Sequence, residues 1–277
     1  MIGSSANLIG GPSKLGQLLI GTCSWTDPSL IASGRFYPAS ARSLADRLRF
    51  YAGHFPTVEV DSSFYALPSR RNSQLWVERT PPGFTFHIKA FGLFTQHAVA
   101  VRSLPRDVRD ALPEPAQSKQ RVYPRDVPDS LMEELWTRFS EAITPLADAG
   151  KLEVLLFQFP RWFNPGSASR EHMLLCQERL PGYKLGVEFR NHLWLDHRHQ
   201  EDTLRFLADH RLSFVSVDEP QGFKSSVPPV AAASTDIAYV RFHGRNVETW
   251  EKSGATASTR FDYYYSTEEL EEWESRI

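Results

Sequence analysis

Seven short segments of this sequence are apolar on both faces, and they recur at wide spacing. They are "LLIGTCSW" (18–25), "TVEVDSSFY" (57–65), "TFHIKAF" (85–91), "KLEVLLFQF" (151–159), "KLGVEFR" (184–190), "LSFVSVDE" (212–219) and "AYVRFHG" (238–244). A strand with one face in water alternates apolar and polar residues. A run that is apolar throughout reads as a strand covered on both sides, as in a parallel sheet packed under helices. Helical patterns fill most of the intervals. Segment 40–55 sets Leu44, Leu48 and Tyr51 on one stripe. Segment 69–80 is shorter and stops at Pro81-Pro82. Segment 128–150 opens with Ser130 and Glu133 at capping-box spacing, and Pro145 inside it is expected to kink or end the helix. Segments 167–182 and 197–211 follow, and 266–277 opens with Ser266 and Glu269, a second capping box. Residues 220–236, rich in Pro, Ala and Ser, read as a loop without a helix.

Strands alternating with helices predict an α/β fold with a parallel sheet. Seven of them in 277 residues predict a TIM-type (β/α)8 barrel. The eighth strand is either missing or lies beyond Ile277. A doubly wound sheet is the alternative, but no GxGxxG turn follows the first strand. No repeat and no linker divides the chain, so 18–277 is expected to form a single domain. Residues 102–128, rich in Pro, Arg and Asp, read as a loop insertion after the third strand. Residues 1–17 carry Gly, Ser and Asn where a leader peptide would be apolar, and are expected to be a flexible tail.

Composition narrows the function classes coarsely. The net charge of −2 gives the molecule as a whole no attraction to nucleic acid or to anionic membranes. No apolar run approaches the ~18 residues of a membrane span. Two cysteines, Cys23 and Cys176, make no disulfide framework, and a cytoplasmic setting is the simplest expectation. Walker A, HExxH, CxxC and GxSxG motifs are absent, which leaves the cofactor unknown; Glu59, Asp61, Glu188, Asp218 and His243 could in principle bind a divalent metal, though Arg190, Arg241 and Lys89 already place positive charge among them.

Side chains at i and i+2 share a face of a strand. Glu59 and Asp61 therefore pair on the second strand, His87 and Lys89 on the third, and Glu188 and Arg190 on the fifth. Ser216 and Asp218 pair on the sixth, Arg241 and His243 on the seventh, and the fourth supplies Gln158. Each set lies in the C-terminal half of its strand, where barrels of this type carry their sites. The structural alternative is that Glu188 pairs with Arg241 as a polar layer of the core. Convergence from so many strands favours a site, because buried charge is an inefficient way to fill a core. Trp25, Phe64, Tyr65 and Trp194 border the same ends and could stack on a ligand ring, or else pack loops on the rim. His97 lies just past the third strand, within reach of the site or capping a loop. The run His197–His199 is expected on a helix surface, and Cys23 as a small buried side chain.

These stretches also resemble a known family. The motifs are "IGTCSW" (20–25), "FYP" (36–38), "FPTVEVDSSFYALP" (55–68), "TPPGFTFHIKAF" (80–91), "LLFQFP" (155–160), "VEFRNHLW" (187–194), "VDEP" (217–220), "YVRFHGR" (239–245) and "FDYYYSTEEL" (261–270). In this order they resemble the YecE-like family, the domain-of-unknown-function family numbered 72. The resemblance implies a TIM-barrel fold with a site at the strand ends, and it brings no reaction. Departures from the family pattern are Cys23-Ser24 where Ser-Gly is usual before the Trp, and Asp61 where Asn is usual. The final strand usual in the family is lacking.

The residues lead to three expectations. In the first, Arg190, Arg241 and Lys89 hold a phosphorylated or sugar-like anionic small molecule, Gln158, Asp61 and Asp218 help bind it, and Trp25, Tyr65 and Trp194 stack on it. Glu59 or Glu188 would be the base and His243 the acid of a hydrolase- or isomerase-like enzyme. The second is a metal-dependent, nucleic-acid-processing barrel of the endonuclease kind, which the net charge does not support. The third is a non-catalytic ligand-binding protein.

Overall fold

The computed structural model describes residues 16–276 apart from Lys224. The expected tail, 1–17, lies outside the described residues save for Gly16 and Gln17. Among the described residues there are nine strands: β1 Gly21–Cys23, β2 Thr57–Val60, β3 Thr85–Lys89, β4 Val99–Ala100, β5 Arg121–Val122, β6 Leu152–Gln158, β7 Leu185–Glu188, β8 Ser213–Asp218 and β9 Tyr239–Phe242. Seven form one parallel sheet in the order β1-β2-β3-β6-β7-β8-β9, while β4 and β5 make a small antiparallel hairpin. Spatial order follows chain order, as expected when each crossover returns along the same side of the sheet.

Among the described residues ten α-helices join them: α1 Pro28–Ala32, α2 Leu44–Ala52, α3 Ser62–Tyr65, α4 Arg70–Glu78, α5 Arg106–Asp110, α6 Asp129–Asp148, α7 Ser167–Arg179, α8 Gln200–Asp209, α9 Ala257–Arg260 and α10 Thr267–Glu274. The sheet curls. β1 and β9 are its two edges, yet Arg241 of β9 reaches Cys23 of β1 and Glu59 of β2 with its side chain. The fold is thus α/β, a half-barrel of seven parallel strands flanked by helices.

The curl divides each strand into an outward set under helices and an inward set toward the lumen. On β3, Phe86 and Ile88 are fully buried, whereas Thr85, His87 and Lys89 keep partial access. α2 buries Leu48 and Tyr51 against the first strands. The Tyr51 hydroxyl accepts the Thr22 N–H at 2.8 Å and donates to the Thr57 carbonyl at 3.1 Å, pinning the edge strand. Leu44, expected on the same stripe, is 61% exposed because it is the first residue after the Ser43 cap.

α6 buries Leu135, Trp136, Phe139, Ile143 and Leu146. Trp136 stacks on Phe94 with ring centroids 3.5 Å apart. The capping box expected of Ser130 and Glu133 does not form. The helix starts one residue earlier, at Asp129 after Pro128, so Ser130 lies inside it and Glu133 pairs with Arg179 at 2.6 Å instead. Pro145 neither ends the helix nor stops it short of Asp148. A proline leaves the carbonyl four residues back without its N–H. Here that carbonyl belongs to Glu141, and Arg70 Nη1 donates to it at 3.4 Å. The second capping box does form: Glu269 N–H donates to Ser266 Oγ at 3.2 Å, and Ser266 N–H to Glu269 Oε2 at 2.9 Å.

Segment 102–128 folds on the core instead of running free. It carries α5 and β5, and Leu104, Val108, Leu112, Ala116, Val122 and Val127 are buried in the main apolar cluster. Burying side chains of this size contributes roughly 1.5–3 kcal/mol each. That is why a segment poor in regular structure is nevertheless held.

Candidate functional site

The inward positions of β2, β7 and β9 place Glu59, Glu188 and Arg241 in one buried layer. Arg241 Nη2 lies 2.7 Å from Glu59 Oε1, and its Nε donates to Glu59 Oε2 at 2.9 Å. Its Nη1 meets Glu188 Oε2 at 2.6 Å. The Tyr239 hydroxyl, one inward position earlier on β9, donates to Glu59 Oε2 at 2.8 Å. Glu188 takes further donors on its other oxygen, from Arg190 Nε at 2.7 Å and Gln158 Nε2 at 2.7 Å. Gln158 and Glu188 are direct neighbours in the β6–β7 register. The Gln158 carbonyl oxygen accepts from Lys89 Nζ at 2.9 Å.

Toward the mouth, Arg190 Nη1 pairs with Glu219 Oε2 at 2.6 Å, and Glu219 Oε1 accepts the Val227 N–H at 2.8 Å. Arg190 Nη2 lies 2.8 Å from His243 Nε2, and Glu188 Oε1 lies 3.2 Å from the same nitrogen. A guanidinium can only donate. Nε2 therefore accepts, and the His243 proton sits on Nδ1.

The electrostatics follow from burial and partners. Burial would raise the Glu188 carboxyl, but Arg241 and Arg190 hold it well below the usual carboxylate range. Glu59 is likewise held low by Arg241 and Lys89 against its burial. Burial and the two arginines push His243 down to about 3, so it is neutral at pH 7. Burial pushes Glu219 up to about 7 despite Arg190. Asp61 is raised by burial, opposed by Lys89. Lys89 itself is lowered by burial and by Arg241, with Glu59 and Glu188 pulling the other way.

Lys89 stands apart from the two arginines. Its ammonium lies 4.6 Å above the Phe64 ring and donates to a neutral amide, with no carboxylate in ion-pair contact among the described residues. His97 sits close by, stacked edge-on between Phe64 and Trp162, and burial followed by Lys89 pushes it down to about 4.

The other expected site residues divide between the mouth and the surrounding scaffold. Tyr65 is 64% exposed beside Phe64 at the mouth. Trp25 is buried, its ring 5.6 Å from Trp76, and its indole N–H has no partner. With Asp61, Asn72 and Arg79 it lines a cavity of about 200 Å³ between α2 and α4. Trp194 offers no face to a ligand: it is fully buried, stacked on Phe189, and donates Nε1–H to the Phe163 carbonyl at 2.7 Å.

Asp218 points away from the lumen. It accepts from Arg245 Nη2 at 2.7 Å, the Tyr265 hydroxyl at 2.8 Å and Trp273 Nε1 at 2.5 Å, and so anchors α10. Cys23 has its backbone on the open edge and its thiol inside, 3.4 Å from Arg241 Nη2; burial and Glu59 push that thiol up to about 12. His199 turns to Asp196 at 2.8 Å on the surface.

Glu219, Tyr239 and Arg245 were not among the expected residues. Tyr239 was legible, two residues before Arg241 on one face. Glu219 was not, because Asp218 and Glu219 are adjacent carboxylates on opposite faces. The carboxylates that could cradle a cation are already occupied by guanidinium groups. Among the described residues no three His, Cys, Asp or Glu side chains come together as a metal set. Beside this layer stand Lys89, with no carboxylate in ion-pair contact among the described residues, and two carboxyls that burial raises, Glu219 and Asp61.

The same chain is 32% identical over 265 residues to a protein of Bacillus subtilis (strain 168) named UPF0759 protein YunF, covering 94% of this chain and 83% of that one. The crystal structure of a DUF72 family protein from Thermotoga maritima matches with a TM-score of 0.69 at 30% identity, over 93% of this chain and 85% of the other. A DUF72 family protein from Enterococcus faecalis shares the fold with a TM-score of 0.70 at 24% identity, over 94% of this chain and 82% of the other. The family model described as a protein of unknown function, DUF72, matches residues 19–277, and the chain belongs to that family.

Proposed function

We propose that the mouth of the half-barrel binds an anionic small molecule, phosphorylated or sugar-like, and acts on it by proton transfer, as an isomerase- or hydrolase-like enzyme. One observation carries the reading. Glu59 and Glu188 are in ion-pair contact with Arg241 and Arg190, while among the described residues no carboxylate is in ion-pair contact with the partly buried Lys89 ammonium, which donates to Gln158. An uncompensated buried charge is costly, and an incoming phosphate or carboxylate removes that cost. Aromatic rings flank the same place: Phe64 under Lys89, Trp250 beside Arg190, and exposed Tyr65 and Trp162 on the rim. Such rings suit the apolar face of a sugar.

Glu188 is a poor base here, because its oxygens are filled by charged and amide donors. His243 accepts from Arg190 and has its proton on the far nitrogen. In this reading Glu219 and Asp61, both raised, take the acid and base roles. The half-barrel is taken as a (β/α)8 barrel lacking one strand between β9 and β1, and the protein as cytoplasmic. A binding-only role is the second reading, and the saturation of Glu188 favours it.

Thermal unfolding with glycerol 3-phosphate and glycerol tests the proposal. A ligand that binds only the folded chain raises the midpoint by mass action. The phosphate ester raises it, glycerol does not, and Lys89→Gln abolishes the shift. Equal response to both compounds, or an unchanged shift in Lys89→Gln, overturns it.

A further inference from the structure

We propose that Lys89 is a nucleophile that captures the carbonyl group of the ligand as a Schiff base. This rests on the anion-binding reading and narrows it to an aldehyde- or ketone-bearing phosphorylated or sugar-like molecule. Among the described residues, the geometry separates Lys89 from Lys119, Lys151 and Lys184. Lys119 and Lys184 are ion-paired on the surface with Asp126 and Glu153, both at 2.8 Å. Lys151 donates to the Thr80 carbonyl and hydroxyl and to the Val77 carbonyl, so its three protons are used. Lys89 donates to Gln158 alone and lies over an aromatic face. It stands at the C-terminal end of β3, facing the lumen, with the Arg190 charge close enough to act on it.

An amine must lose a proton before it can attack, and a lysine is readied for this by burial and by neighbouring cations. Both act on Lys89: burial lowers it first, then Arg241, with Arg190 adding to them and Glu59 and Glu188 pulling the other way. The nitrogen lone pair attacks the carbonyl carbon and a C–N bond forms. The carbonyl π pair moves to oxygen, which takes a proton and gives a carbinolamine. Proton transfer from a neighbouring acid to that hydroxyl lets water leave, and the nitrogen lone pair closes the C=N bond. The sum is one ammonium and one carbonyl giving one iminium and one water, with no oxidant or reductant. Asp61 is the carboxyl assigned to this exchange, since burial raises it and its charge is coupled to Lys89. The product keeps the positive charge where the ammonium had it, so the match to the anion is preserved.

The test treats the full-length protein with dihydroxyacetone phosphate at neutral pH, reduces it with sodium borohydride, and maps the adduct by peptide mass spectrometry. One saturable adduct on Lys89 is expected, suppressed by excess glycerol 3-phosphate, and reduced at least about tenfold in Lys89→Arg. The competition and the mapping are both read on the unmutated protein, so the result does not hang on how the variant folds. Labelling spread over Lys119, Lys184 and Lys252 with Lys89 unmodified overturns the Schiff base. If glycerol 3-phosphate still raises the unfolding midpoint in that case, the anion site stands without it. If neither phosphate shifts the midpoint and nothing is trapped, both fall.

Discussion

Arg241 on β9 grips Glu59 on β2 with two nitrogens, Nη2 at 2.7 Å and Nε at 2.9 Å, and so spans the gap between the two edges of the open sheet. The third nitrogen, Nη1, holds Glu188. One guanidinium thus bridges two carboxylates that are almost wholly buried, and Arg190 shares Glu188 with it at 2.7 Å.

Removing that guanidinium strands Glu59, which keeps only the Tyr239 hydroxyl, and takes from Glu188 one of its two arginines. Breaking a buried pair from one side costs about 3–5 kcal/mol, because the charge left behind has no water to turn to. Arg241→Met is therefore expected to lose about that much in urea denaturation. Combining it with Glu59→Gln restores part of the loss, since one stranded charge is gone. A loss under about 1 kcal/mol for Arg241→Met, the scale of an exposed ion pair, means the bridge does not hold the sheet edges together.

Glu219 gives the protein a slope in pH. Its ordinary value is 4.5 and its folded value about 7, so the folded chain binds the proton more tightly than the unfolded chain. Its contribution to stability is complete below 4.5 and is lost as pH rises through 7. His243 acts oppositely: its folded value of about 3 lies under its ordinary 6.5, so stability is lost as pH falls from 6.5 toward 3. Glu219→Gln is expected to remove a downward slope in urea midpoint between pH 4.5 and about 7, a slope that in the parent offsets the upward slope from His243 below 6.5. The slope is the readout, because the amide also disturbs the contacts to Arg190 and Val227 and shifts stability at every pH. A variant as steep as the parent assigns the slope elsewhere.

Much of this arrangement could be read before any coordinates. Strands apolar on both faces announced the parallel sheet, and i, i+2 alternation put Glu59, Glu188, Arg241 and His243 on one face. The limits have physical causes. On β8, "SVDE" offers Asp218 and Glu219 to opposite faces, and both faces of that strand are buried, so hydrophobicity cannot choose. The choice is made by partners distant in sequence: Trp273 and Tyr265 take Asp218, and Arg190 takes Glu219. Trp194 looked like a rim residue, but Asn191 turns the chain by accepting the Leu193 N–H at 3.0 Å, and the indole folds under. That no carboxylate among the described residues is in ion-pair contact with Lys89 depends on distances between strands, which no local pattern contains.

Gly21 marks the closest approach of the edge strand. A Cβ there would lie 2.3 Å from the Thr57 carbonyl oxygen and 2.8 Å from Thr57 Cγ2. Backbone cannot yield as a flexible side chain can, so Gly21→Ala must push β1 off β2. A cost of about 1–3 kcal/mol, typical of overpacking, is expected, with faster hydrogen exchange at Ser24, whose N–H donates to the Glu59 carbonyl at 2.8 Å. Unchanged exchange at Ser24 argues that the edge adapts without moving.

Asp218 is the anchor of the C-terminal helix. Its carboxylate takes the Arg245 guanidinium, the Tyr265 hydroxyl and the Trp273 indole, and Trp273 is the buried residue of α10. Three donors on one buried carboxylate form a network whose members depend on each other. Asp218→Ala orphans the Trp273 N–H and leaves Arg245 with only Glu269 and Glu272. Leaving buried donors unsatisfied costs about 1–3 kcal/mol each, more for a charged one. That loss falls locally, because α10 is short and otherwise exposed on most of its surface. Limited proteolysis is therefore expected to cut between Tyr263 and Glu274 in Asp218→Ala, under conditions where the parent stays intact. Trp273→Phe, which keeps the ring and loses only the donor, should fall between the two. Equal resistance in all three chains assigns the docking of α10 to apolar packing of Trp273 against Phe242 alone, whose rings lie 5.5 Å apart.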